Sequence, residues 1–126
     1  MTSSEIITKY NSAALAYIGD AVYELLVRKY ALGKSLDNGS MHRLAKEYVS
    51  ASAQCRILAE IQPLLTETES DIVRRGRNCK PKSRPKNADI AQYHSATGFE
   101  ALWGYLFLLE DYARIEQLFN IILKIK

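Results

Sequence analysis

Leu15–Arg28 reads LAYIGDAVYELLVR, and this stretch decides the fold class. Leu15, Ile18, Val22, Leu25, Leu26 and Lys29 recur at three- and four-residue spacing, the period of an α-helix with one apolar face. The methylene stem of Lys29 can lie along that stripe. Ser12 can cap the helix and Gly33 closes it. The same period recurs on both sides of a turn-rich segment, Gly33 to Gly39, in which Asp37, Asn38 and Gly39 are the turn residues. A second helix is expected after Ser40, carrying Leu44, Ile57, Leu58 and Ile61 as far as Pro63. A third, short one runs from Glu67 to Arg77. A fourth opens at Asp89 and ends near Glu110, with Phe99, Leu102, Leu106 and Leu109 as its stripe. The last begins near Tyr112 and carries Ile115, Leu118, Phe119, Ile122 and Ile125. No β-alternation of useful length and no internal repeat interrupts this. The expectation is an all-α fold in which residues 1–126 form a single domain.

Between the third and fourth helices the chain cannot be helical. Cys79 to Asn87 contains Pro81 and Pro85 in the polar pattern KPKSRPKN. The charge is uneven there too. From Ile72 to Ala88 there are seven basic residues and no acid, namely Arg74, Arg75, Arg77, Lys80, Lys82, Arg84 and Lys86. The rest of the chain has ten basic and fourteen acidic residues, so the overall +3 hides a net −4 outside this segment. Clustered Lys and Arg suit a polyanionic partner; a solvated basic loop is the plainer alternative. Arg74 and Arg75 have a third option, pairing across helical turns with Glu67, Glu69 or Asp71.

No apolar run approaches the ~18 residues of a membrane span, and MTSSEIITKY is not a secretory leader. A cytoplasmic location is expected, with no membrane partner. Cys55 and Cys79 have no metal-ligand spacing. Cys55 reads as a small core residue and Cys79 as an incidental loop residue.

Two carboxylates sit oddly on their helices. Asp20 lies mid-helix, away from the Leu15/Ile18/Val22/Leu25 stripe, among Ala13, Ala16, Glu24 and Val27 and directly after Gly19. Glu100 lies mid-helix in ATGFEALWGYLFLL, near Ala96, Thr97 and Gly104. A glycine inside a helix costs about 1 kcal/mol relative to alanine. Two of them beside two acids suggest close approach of helices or of a ligand. If the helices cross at these small residues, Asp20 and Glu100 meet, and a carboxylate pair in a cleft suits Mg²⁺. Surface ion pairs are the alternative; periodicity alone does not choose.

At these residues the sequence resembles a known family. LAYIGDAVYELLVR resembles the signature helix of the ribonuclease III catalytic domain, and GFEALWGYLFLLED its second acidic motif. Arg74-Arg75-Gly76-Arg77-Asn78, Pro85-Lys86-Asn87 and the block from Ala96 to Leu102 resemble the Mini-ribonuclease III branch, which lacks a double-stranded-RNA-binding domain. The resemblance implies an all-helical homodimer that hydrolyses both strands of duplex RNA with Mg²⁺. It leaves 5′-phosphate and 3′-hydroxyl ends. The implied substrate is the paired ends of a large-subunit (23S) ribosomal RNA precursor, with a ribosomal protein as a conceivable presenter. Asp20 and Glu100 fall on the family's essential metal-binding acids. Arg74, Arg77, Lys80, Lys82, Arg84 and Lys86 are the candidate RNA contacts.

The resemblance is incomplete. The signature's upstream glutamates fall on Ala13 and Ala16, and the aspartate before the second-motif glutamate falls on Thr97. That leaves the number of metals open. Neither His42 nor His94 is needed as a nucleophile, though His42 could meet a phosphate from a helix N-terminus. The small and apolar residues from Leu15 to Val27 are expected to form part of the dimer surface, with ordinary core packing an equal explanation for many of them. Two rival readings stand beside the nuclease. One is a non-catalytic ribonuclease III-like RNA-binding module of the ribosome. The other is a helical DNA-binding or protein-interaction domain, which would want its basic residues on a recognition helix.

Overall fold

The computed structural model describes residues 1–34, 37–79 and 89–125. Seven α-helices follow one another in these segments, with no strand among the described residues. They are α1 (Ser3–Lys9), α2 (Ser12–Leu32), α3 (Asn38–Val49), α4 (Ala51–Ile61), α5 (Glu67–Arg77), α6 (Ile90–Leu108) and α7 (Tyr112–Leu123). A single 3₁₀ turn, Gln62–Leu64, carries the chain past Pro63.

Local chemistry sets most of the boundaries. α5 runs over the span its sequence predicts because Thr66 and Glu69 form a reciprocal capping box, each side chain accepting from the other's backbone N–H. Asp89 caps α6 as expected. α1 was not expected from periodicity, yet Thr2 and Glu5 build the same box in front of it. Its Ile6 is wholly buried and its Ser3 hydroxyl accepts from Tyr105 Oη at 2.8 Å.

Three expectations need correction. α2 is capped by Asn11, whose side chain accepts from Ala14 N–H, with Ser12 already inside the helix. The single helix expected between Ser40 and Pro63 is two. Ser50 takes an extended backbone (ψ 153°), closes α3 by donating its N–H to Lys46, and opens α4 by accepting from Ala53. α3 also begins earlier, at Asn38, because Asp37 accepts from Ser40 N–H. The third correction concerns the face α2 buries. Its core residues are Leu15, Ala16, Gly19, Tyr23, Val27 and Ala31, whereas Leu25 is 68% exposed. Counting only large aliphatics rotated the expected face, since small residues and a tyrosine make the real one.

α6 is the axis of the molecule, packed by α2, α4, α5 and α7. Phe99, Leu102 and Leu106 of its expected stripe are inside, whereas Leu109 is a half-buried C-cap residue, and Ala101, Trp103 and Tyr105 are buried from other sides of the helix. Around Trp103 the rings of Tyr23, Phe99 and Phe119 lie 5.4, 5.8 and 6.5 Å away between centroids, the two phenylalanines edge-on. Tyr23 reaches through this cluster to donate its hydroxyl to the Tyr48 carbonyl at 2.8 Å, tying α2 to the end of α3.

Two glycine notches let α6 sit so deep. A Cβ added at Gly104 would lie 2.0 Å from the Leu15 carbonyl oxygen, and one at Gly19 would lie 1.6 Å from that of Glu100. At this crossing the backbones of α2 and α6 touch directly. On another side of α6, a Cβ at Gly76 would lie 2.5 Å from Gly98 Cα, so α5 also docks backbone to backbone. The helices cross at small residues, as the paired glycines suggested.

Candidate active site

The α2–α6 crossing determines where two acids stand. Asp20 follows Gly19 immediately, and the Gly19 notch holds the backbone of Glu100 itself. The contact that joins the helices therefore also fixes the two carboxylates relative to each other. The Asp20 carboxylate comes close enough to act directly on that of Glu100. Both face an open cleft of about 940 Å³ walled by α2, α4 and α6, with Tyr17, Gln54, Tyr93 and Thr97 on its sides.

Glu100 is electrostatically uncomfortable there. Burial, then the negative charge and hydrogen bond of Asp20, push its pKa from the ordinary 4.5 to about 8; Glu24 adds to the rise and a hydrogen bond from Gln54 only partly offsets it. Among the described residues no Lys, Arg or His forms an ion pair with Asp20 or Glu100. Glu24, one turn after Asp20, lines the same cleft and pairs with Arg28 at 2.7 Å.

The donor set fits Mg²⁺. One exposed and one half-buried carboxylate set side by side, with no cationic partner among the described residues, are what a hard divalent ion compensates. No group of three His, Cys, Asp or Glu residues suited to a metal is found among the described residues, so Asp20 and Glu100 are the two side chains that would hold such an ion, with water filling its remaining positions. The positions where the larger enzymes carry further acids, Ala13, Ala16 and Thr97, do line the same cleft, but without carboxylates.

The basic residues divide into two groups. Arg74 and Arg77 are exposed on the last turns of α5. Arg74 pairs with Asp71, and Arg75 Nε lies 3.4 Å from the other oxygen of the same aspartate, so the intrahelical pairing open to them does form. These are exposed pairs of small energetic weight. Lys80, Lys82, Arg84 and Lys86 lie outside the described residues. Cys79, their immediate neighbour in sequence, lines the carboxylate cleft, and so does Tyr93 on the first turns of α6.

Sequence reading missed Gln54. It is 2% exposed and its amide reaches Glu100. One signal was available, because Gln54 falls on the buried face of α4 with Ala53, Ile57, Leu58 and Ile61. A polar residue on an apolar stripe is a reason to look for its partner.

Comparison with known proteins matches the chain to one family. Residues 13–111 match the Ribonuclease III domain. The chain is 41% identical over 117 residues to Mini-ribonuclease 3 of Clostridium tetani, covering 91% of this chain and 78% of that protein. It is 49% identical over 104 residues to Mini-ribonuclease 3 of Symbiobacterium thermophilum, covering 82% and 80%. A crystal structure of a Fusobacterium nucleatum protein superposes with a TM-score of 0.86 at 32% identity, covering 94% of this chain and 97% of that one.

Proposed function

Because the chain belongs to the ribonuclease III family, and is thus an endoribonuclease of the type that acts on double-stranded RNA, we propose that it hydrolyses RNA duplexes with Asp20 and Glu100 as its Mg²⁺ ligands. The observation that carries this reading is the acid pair itself, two carboxylates set side by side at a backbone contact, with no ion-pair partner among the described residues. When bound, Mg²⁺ supplies Lewis-acid polarisation of the scissile phosphate and a nucleophile at neutral pH.

The chain's own residues do the rest. Asp20 and Glu100 would hold the ion, one from α2 and one from α6, and the backbone contact at Gly19 fixes the two helices that carry them. Tyr17, Tyr93 and Thr97 shape the cleft that takes the backbone of the substrate. Arg74 and Arg77, with Lys80, Lys82, Arg84 and Lys86, supply phosphate contacts. A-form RNA offers phosphates and 2′-hydroxyls rather than a readable major groove, so a cluster of basic residues is a suitable means of recognition.

Cutting both strands calls for two sites, and a two-fold homodimer provides them. The exposed side of α2 supports that arrangement. Tyr17 (86% exposed), Ala21, Leu25 and Leu32 follow one another along a single face that the chain's own core leaves open. Leu15, Ala16, Tyr23 and Val27, from the same stretch, are core residues and not part of such a surface. The Mini-ribonuclease III resemblance supports a large-subunit ribosomal RNA precursor as physiological substrate, a ribosomal protein as possible presenter, and the cytoplasm as location. No described helix is long and apolar enough to cross a membrane.

A non-catalytic RNA-binding module is the second reading, and the retained acid pair speaks against it. Wild-type and Asp20→Asn proteins incubated with duplex RNA and Mg²⁺, with products run on a denaturing gel, separate the two. Cleavage by the wild type alone supports hydrolysis at Asp20. Equal cleavage by both removes the assigned site. Binding by both with cleavage by neither brings the structural module forward.

A further inference from the structure

α4 brings a neutral amide to the acid pair, and its surroundings are unusual. Gln54 is 2% exposed on a helix face otherwise made of Ala53, Ile57, Leu58 and Ile61. Its Nε2 lies 3.2 Å from the Val49 carbonyl oxygen and 3.5 Å from Glu100 Oε2. Both neighbours are acceptors. Turning the amide over would set an oxygen against two oxygens, so the nitrogen faces them and the orientation is determined. The price appears at the other end, where Oε1 is buried without a hydrogen-bond partner. For packing alone, an apolar side chain of the same length would avoid that penalty.

We propose that Gln54 is a positioning residue of the active site, its amide N–H holding the Glu100 carboxylate in the orientation that faces Asp20. The inference rests on the reading of Asp20 and Glu100 as the metal ligands. Its logic lies in the charge of the cleft. The positions of the further family acids hold Ala13, Ala16 and Thr97, so no other carboxylate from them orients Glu100. Glu24, the remaining acid on the cleft, is engaged with Arg28. An amide donor fixes a carboxylate without adding a third negative charge to a pair that already repels. The anchor is firm because the same nitrogen is tied to the last residue of α3, just before the Ser50 break.

Gln54→Met keeps length and bulk while removing the N–H, and tests this directly. Mn²⁺, an oxygen-seeking probe, is titrated into the full chain and the free ion followed by its EPR signal. Glu100→Gln runs alongside. Supporting outcomes for Gln54→Met are a melting temperature at or above that of the wild type, unchanged duplex-RNA affinity in EDTA, roughly tenfold weaker Mn²⁺ binding, and slower cleavage that extra metal partly restores. Unchanged Mn²⁺ affinity and unchanged metal dependence of the rate overturn the inference. Glu100→Gln separates the two layers. If it leaves Mn²⁺ binding intact, the ligand assignment itself falls. If it abolishes binding while Gln54→Met does not weaken it, only the role of Gln54 falls. Should Gln54→Met fail to fold, the side-chain amide resonance of Gln54 in the wild type decides, because it must move when Mg²⁺ is added; a resonance that stays put overturns the proposal.

Discussion

Two glutamates are drawn into this protein, and the fold treats them in opposite ways. Glu69 on α5 is 4% exposed, and Arg114 of α7 meets it with Nε at 2.9 Å from one oxygen and Nη2 at 2.8 Å from the other. Burial alone would raise its pKa, but the hydrogen bonds from Arg114 and the Thr66 N–H outweigh burial and hold it below the ordinary value. Glu100 on α6 is partly buried as well, yet its nearest charged group is another acid, and burial and Asp20 push it up. The first carboxylate is complete within the chain and joins two helices. The second has no ion-pair partner among the described residues, which suits the ligand role proposed for it better than that of a structural ion pair.

Removing the second carboxylate should have the largest effect. Glu100→Gln is expected to slow cleavage by about a thousandfold, the equivalent of several kcal/mol of lost transition-state stabilisation. The folded protein should become no less stable, because a repelling acid has gone. Single-turnover cleavage and thermal melting check the two halves. A variant that cut normally would erase the distinction between the two glutamates.

Arg114→Leu is the mirror experiment. It should leave Glu69 buried and unpaired and destabilise the fold by about 3–5 kcal/mol in denaturant titration. Whatever variant still folds should cleave at near the wild-type rate. Gly19→Ala comes next. The new methyl has no room beside the Glu100 carbonyl, so α2 and α6 must part, with a loss of about 1–3 kcal/mol and a larger loss of cleavage. The Glu69–Arg114 contact should survive, visible as unchanged amide-exchange protection in the first turn of α5.

The remaining effect is the dependence on pH. Between its ordinary 4.5 and about 8, folded Glu100 keeps a proton that the unfolded chain has released. Stability without divalent ions should therefore fall as pH rises through that window, and Glu100→Gln should flatten the slope. Glu69 works the other way. Its folded pKa is lowered, so its contribution is present above the ordinary value and is lost as pH falls below it. Melting curves in EDTA across pH 5 to 8, with and without the Glu100→Gln change, read the first slope alone.

What the sequence made legible follows from how local each cause is. α5 could be read to the residue because Thr66 and Glu69 cap it within four positions. The meeting of Asp20 and Glu100 was legible because each acid has a mid-helix glycine close by, and those glycines are spent on one crossing. The buried face of α2 was not, since its close contact is made by Gly19 and Ala16 and its main ring by Tyr23, while the conspicuous Leu25 points outward. The Ser50 break was hidden because a serine reads equally well as an ordinary helix residue until its backbone turns. Gln54 depends on an element nearly fifty residues away in sequence from Glu100, and no local pattern announces that. The basic residues from Lys80 to Lys86 remain an argument from charge alone.

The Gly19 notch has one more consequence. Because it receives the Glu100 carbonyl, the span between the two acids is a backbone dimension rather than a side-chain one. Single substitutions at the surface cannot retune it. Only sliding one helix along the other would, and the interlocked glycines at 19 and 104 block small slides. The rim is set by side chains instead, with Tyr17, Tyr93 and Thr97 lining the cleft outside the Gly19–Gly104 crossing. A chain organised this way is free to drift in which duplexes it prefers while its hydrolytic gauge stays fixed, and attempts to redirect it should begin at the rim.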